Sequence, residues 1–202
     1  MATVKVWDIA VRIFHWSLVA AFVTAYLSGE ENELLHANAG YVIIGLLAFR
    51  VIWGFIGTKH ARFADFIYSP TKIVAYTRSF ARGEPPHYLG HNPLGGIMVI
   101  ALLISLALAC FSGLKLYAAE DGKGPLANEG SLSVISSAYA HEGGEHDVDD
   151  EAGTEFWEEI HELFVNLSLG LVGLHIAGVV VSSVLHREKL VKAMITGNKD
   201  SH

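Results

Sequence analysis

The sequence predicts an all-α integral membrane protein, a four-helix transmembrane bundle, and three observations carry that prediction. Of its 202 residues 51% are hydrophobic and only 17% charged, with a mean hydropathy of +0.37, too apolar a balance for an ordinary soluble domain. Four apolar stretches, roughly Val11 to Ser28, Ala37 to Gly57, Pro93 to Leu116 and Leu163 to Leu185, each approach the ~20 residues that a helix needs to cross the hydrocarbon core. The basic residues then fall on one side of the path that four crossings trace.

The first stretch follows Lys5 and Arg12. Its charged, Trp-containing leader lacks a clean small-x-small site, so it reads as a retained anchor rather than a cleavable signal. Glu30, Glu31 and Glu33 separate it from the second stretch. Lys59, Arg62, Lys72, Arg78 and Arg82 fill the next loop, which Pro70 and Pro85-Pro86 punctuate and where Thr71 to Ala81 is expected as a short interfacial helix. The third stretch opens at Pro93, a favoured first residue of a helix. An outer loop is expected at about 118–159, with a Gly-, Ser-, His- and acid-containing segment from Asn128 to Gly153 and an acidic run from Asp147 to Glu151. After the fourth stretch come Arg187, Lys189, Lys192 and Lys199. Eleven of the fourteen Lys and Arg thus share one face, which the positive-inside rule assigns to the cytoplasm together with both termini. The net charge of −7 becomes a sided property, concentrated on the outer loops. No internal repeat is seen, and residues 1–202 read as a single transmembrane domain.

Histidines supply the chemistry. His161 and His175 stand fourteen residues apart on one apolar segment, and His15 and His36 sit at the edges of two earlier ones. At about 100° and 1.5 Å per residue, fourteen residues return His175 to within roughly 40° of His161 and about 21 Å further along one helix. One helix can therefore offer one axial ligand to each of two haems stacked across the membrane. His36 and His161 match in depth on the outer side, His15 and His175 on the inner side, giving two bis-imidazole irons that carry electrons rather than bind oxygen. An intramembrane ionisable group is a functional hypothesis by default, and four at matched depths outweigh a packing role. The seven other histidines lie at boundaries or in loops and read as surface residues. Cys110 is the only cysteine, so there is no C-x-x-C-H attachment, iron–sulfur ligand set or internal disulfide, and any haem is b-type. Cys110 itself reads as a small packing residue.

At these residues the chain resembles the bacterial cytochrome b561 and nickel-iron hydrogenase b-type cytochrome family, related to the membrane subunits of formate dehydrogenases. The resemblance rests on Trp7-Asp8 followed by Arg12-Ile-Phe-His15-Trp16, on His36-Ala-Asn-Ala-Gly40-Tyr41, on Arg50-Val-Ile-Trp53-Gly54-Phe55-Ile-Gly57, on His91-Asn92-Pro93-Leu94-Gly95, and on the His161 and His175 pair. It spans nearly the whole chain. It implies a four-helix bundle in the bacterial inner membrane, two haems b, and the pairings already reached from depth. The long acidic, His-bearing outer loop departs from the family pattern.

Further residues take roles from this setting. Arg50, fourteen residues beyond His36, falls near the same helix face at the inner depth and is a candidate for a haem propionate, with Arg12 as a second; snorkelling to the surface is the competing role. Gly40, Gly170, Gly173 and Gly178 fit either close approach of a flat porphyrin or ordinary helix packing. The resemblance implies a quinone near the inner haem, where His91 and Asn92 precede the third helix and offer hydrogen bonds to its carbonyls; for Asn92 the alternative is helix capping. The expected function is electron transfer between the quinone pool and a periplasmic redox partner such as a cytochrome c, which the acidic outer loops would steer if it is cationic. A homodimer is compatible with this and a nucleic-acid partner is not expected. Two alternatives are a stand-alone oxidoreductase that passes electrons from a small substrate such as superoxide to quinone, and a metal or proton transporter. His141 and His146 add only a weak metal signal.

Overall fold

A computed structural model describes residues 3–127 and 146–200. Four of its helices are long and apolar enough to cross a membrane: α1 (Ile9–Ser28), α2 (Glu33–Ile56), α5 (Pro93–Asp121) and α6 (His146–Leu185). Each satisfies its own backbone polar groups, the condition for crossing a lipid interior without water. Large apolar side chains, among them Val23, Leu27, Ile52, Phe55, Leu174 and Val184, point outward exposed. Lipid is the solvent in which such a surface is stable.

Capping residues set the helix starts. Asp8 caps α1 by accepting from the Val11 amide at 2.9 Å, and Asn32 caps α2 by accepting from the Leu35 amide at 2.9 Å. Asn92 does the same for α5, its Oδ1 accepting from the Gly95 amide at 2.7 Å. Between α2 and α5 the chain forms a 3-10 turn at Lys59–Ala61, the short α3 (Phe63–Phe66) and α4 (Pro70–Ala81), the last where a helix was expected. A seven-residue helix, α7 (Leu190–Thr196), follows α6.

The described residues group into two compact units, one of Met1–Leu103 with Gly170–His202 and the other of Ile104–Leu169. In the first, α1 packs along α2, and the two ends of the chain meet. Strand β1 (Thr3–Lys5) pairs antiparallel with β2 (Asn198–Asp200), in the register Thr3 with Asp200 and Lys5 with Asn198. The segments before α1 and after α7 are therefore neighbours. Gly197 makes the junction possible. Its carbonyl accepts from the Val6 and Trp7 amides at 2.9 and 3.0 Å, its φ of 85° is left-handed, and a Cβ there would stand 2.6 Å from the Trp7 oxygen. Val6, Trp7, Val11, Ala61 and Ala193 form a small buried core under this junction. In the second unit Ser168 and Ser105 meet by a buried hydroxyl–hydroxyl bond of 3.1 Å.

The segment expected as an outer loop at about 118–159 is shortened from both sides, because α5 continues to Asp121 and α6 begins at His146. His141 and the rest of 128–145 lie outside the described residues, as do the side chains of residues 146–152, which include Asp147 to Glu151.

Candidate haem-binding sites

His36 sits in the first turn of α2 and reaches back to the end of α1. Its Nδ1 lies 2.8 Å from the Ala25 carbonyl oxygen. A carbonyl only accepts, so Nδ1 carries a proton and donates it. His161, in the second unit, repeats the arrangement with its Nδ1 2.9 Å from the Ala109 carbonyl and 3.3 Å from the Ser112 hydroxyl. Ser112 is buried and bonds back to the Leu108 and Ala109 carbonyls at 2.9 and 3.0 Å, so the surroundings of that ring are fixed. A Cβ at Gly113 would stand 2.9 Å from Cε1 and 3.1 Å from Nδ1 of His161, so glycine there is what leaves the ring its place. An imidazole whose Nδ1–H is held by a carbonyl is oriented to give Nε2 to a metal, the usual outer-shell arrangement of histidine ligands.

His15 and His175 both belong to the first unit and lie within electrostatic range of each other. Both are half-buried. His15 Nδ1 is sealed from solvent and has no hydrogen-bond partner, and the ring stands edge-on to Trp16 with centroids 5.1 Å apart. An orphaned imidazole nitrogen inside an apolar helix costs stability unless a metal or donor satisfies it.

Arg50 is 3% exposed, near the end of α2. Its guanidinium lies over the Phe63 ring at 5.0 Å and the Phe66 ring at 5.7 Å, and its Nη1 is buried without a hydrogen-bond partner. Aromatic faces hold the cation but do not satisfy its N–H groups. An anionic oxygen would. Arg12 is committed differently, because its Nη2 donates to the Ile195 carbonyl while Nε is buried and unpartnered.

His91 is wedged between the Trp7 and Phe66 rings, at 4.7 and 4.8 Å. Its Nδ1 is inaccessible and unpartnered, and Tyr68 donates to its carbonyl at 3.0 Å. Burial first, then the nearby Arg50, His175, Lys199 and His60, push its pKa down to about 3, so the ring is neutral. Asn92 spends its Oδ1 on the helix cap, and only its amide N–H groups remain to donate outward. A Cβ at Gly40, Gly170, Gly173 or Gly178 would meet no described atom within 4 Å. Among the described residues no group of three or more His, Cys, Asp or Glu is placed to hold a bare metal ion.

A family model described as prokaryotic cytochrome b561 matches residues 6–197. The chain belongs to the prokaryotic cytochrome b561 family. A probable Ni/Fe-hydrogenase B-type cytochrome subunit of Bradyrhizobium diazoefficiens is 25% identical over 227 residues, covering 98% of this chain and 86% of that one. A like-named protein of Azotobacter vinelandii is 28% identical over 225 residues, covering 96% and 87%, and one of Azotobacter chroococcum is 31% identical over 156 residues, covering 62% and 64%. No solved structure matches the chain. As a prokaryotic cytochrome b561 the protein is a multi-pass membrane b-type cytochrome engaged in electron transfer, in a family whose fold is a membrane helical bundle around haem b. The donor set fits that cofactor. It comprises four half-buried imidazoles, two of them tautomerically fixed by carbonyls, one orphaned, and no thiol pair for covalent attachment.

Missing from the sequence reading were the carbonyl partners Ala25 and Ala109, the glycine that seats His161, and the cluster of His87, Glu188 and Lys199. A backbone carbonyl carries no residue-type signal. Gly113 had one, since it falls on the third apolar stretch where Ala or Leu would otherwise serve.

Proposed function

We propose that this cytochrome moves electrons across the bacterial inner membrane between the quinone pool and a redox partner on the periplasmic face, through two bis-histidine haems b held in one domain. His36 and His161 would hold the outer haem, a pairing that rests on their depth in the sequence, and His15 and His175 the inner one. Bound there, haem b supplies a one-electron couple. The chain orients the ligands, and the observation that carries the reading is the Nδ1-to-carbonyl bond made by both His36 and His161. The buried Nη1 of Arg50 is the better candidate for an inner propionate, and Arg12 offers only Nε. The relatives' names favour a Ni/Fe hydrogenase over a free cytochrome c as the partner.

A pyridine haemochrome assay is expected to give two haems b per chain, both low-spin. His161→Ala is expected to remove only the outer haem and His175→Ala only the inner. A single haem in the parent protein, or loss of both in either variant, overturns the assignment.

His91 and Asn92 remain the candidate quinone contacts, now with unequal roles. A neutral His91 donates or accepts without carrying charge, while Asn92 contributes N–H groups alone. Replacing both is expected to raise the quinol concentration needed for haem reduction about tenfold, the loss of hydrogen bonds worth roughly 0.5–1.5 kcal/mol each. Unchanged quinol kinetics with haem content retained would move the quinone elsewhere.

A further inference from the structure

We propose that a basic cavity at the junction of the chain ends binds the phosphate of an anionic phospholipid. The cavity measures about 170 Å³ and its lining includes Thr3, Glu188, Lys189, Lys192, Asn198 and Lys199. The one acidic wall residue is already neutralised, because Glu188 lies 3.0 Å from Lys199 Nζ and 2.5 Å from His87 Nε2. Lys189 and Lys192 are exposed and, among the described residues, make no ion pair. Two unpaired ammonium groups therefore line a space with room for a phosphate, with the Thr3 hydroxyl and the Asn198 amide as further donors.

Position selects the lipid headgroup over free phosphate. Glu188 follows the end of α6 at Leu185 by three residues, so the cavity opens one helical turn beyond a membrane-crossing segment. On α7, Val191 and Ile195 stand one turn apart and are 55% and 54% exposed, an apolar edge beside the two lysines. A helix that shows apolar side chains next to Lys at the end of a span lies where acyl chains meet headgroups.

The test uses the full-length haem-loaded protein in phosphatidylcholine vesicles and the relative association of spin-labelled phosphatidylglycerol against spin-labelled phosphatidylcholine. Lys189→Ala with Lys192→Ala is expected to lower the preference for phosphatidylglycerol about 25-fold, since each lysine near an anionic surface contributes on the order of a fivefold factor. Lys72→Ala with Arg78→Ala, two exposed cations on α4 that do not line the cavity, is expected to change it little. Equal losses in the two double variants would show a general surface field and overturn the site. Displacement of the labelled lipid by millimolar inorganic phosphate would overturn the lipid assignment in favour of the free anion. The haem spectrum reports folding, and if the double variant fails to assemble, Lys192→Gln alone must still lower the preference.

Discussion

Gly113 shows how narrowly a candidate ligand is seated. Adding one methyl group there puts a carbon 2.9 Å from His161 Cε1, closer than real contacts allow, and the ring has to leave the Ala109 carbonyl. Gly113→Ala is expected to shift the g-values of one low-spin haem or lower the haem count toward one per chain, read by electron paramagnetic resonance and pyridine haemochrome. An unaltered spectrum with full haem would show that His161 is held by other means. The ligand candidates themselves were legible, because histidine is conspicuous in an apolar segment and fourteen residues is a helical near-repeat. Their tautomers were not legible, since these depend on which carbonyl a neighbouring helix presents. Asn92 illustrates an ambiguity that sequence leaves open and geometry narrows: one amide oxygen caps a helix, and only the nitrogen is left for a ligand.

Among the elements, one carboxylate ties the start of α1 to the end of α2. Asp8 caps α1 through Oδ1, while Oδ2 accepts from Trp53 Nε1 at 3.2 Å and from the Thr58 hydroxyl at 2.5 Å. Burial pushes the Asp8 pKa up, but the hydrogen bonds from Thr58, Val11, Trp53 and Ala10 outweigh it and leave the group below the usual carboxylate range. The Trp7-Asp8 and Trp53-Gly54 strings thus meet in one contact: the first supplies the acceptor and the second the donor. Gly54 adds a seat for the Phe63 ring, whose place a Cβ would take. Asp8→Ala is expected to cost about 1–3 kcal/mol, a lost cap plus two stranded donors, seen as a lower thermal midpoint in detergent. Asp8→Asn, which keeps both acceptor positions only in part, should fall between. The four long helices were legible from length and apolarity. The start of α6 at His146 was not, because an acidic, glycine-containing stretch reads as loop until its downstream turns are known to be helical. The three-residue strands were equally hidden, since nothing in Thr3–Lys5 says that its partner is at Asn198–Asp200.

Across the whole molecule, Glu188 ties distant parts of the chain. It meets His87 across 101 residues and Lys199 beyond α7, so the loop before α5, the end of α6 and the last strand share one carboxylate. Burial pushes its pKa up, but bonding to His87 and Lys199 prevails and leaves it below its ordinary 4.5. A carboxylate with a depressed folded pKa contributes stability that is present in full above about pH 4.5 and is lost as pH falls through the folded value. Thermal melts between neutral pH and pH 3 should therefore show the parent protein losing stability below about pH 4.5 more steeply than Glu188→Gln, which lacks the ionisation. Parallel slopes would remove Glu188 from the account. The β1–β2 pair adds a consequence in time rather than in space. Thr3–Lys5 leaves the ribosome long before Asn198–Asp200. The Val6 and Trp7 amides cannot reach the Gly197 carbonyl until every span has been synthesised. Closure of the ladder thus waits on the segment that follows α6, and a nascent chain stalled before Gly197 keeps Thr3–Lys5 unpaired, an open edge exposed to non-native pairing.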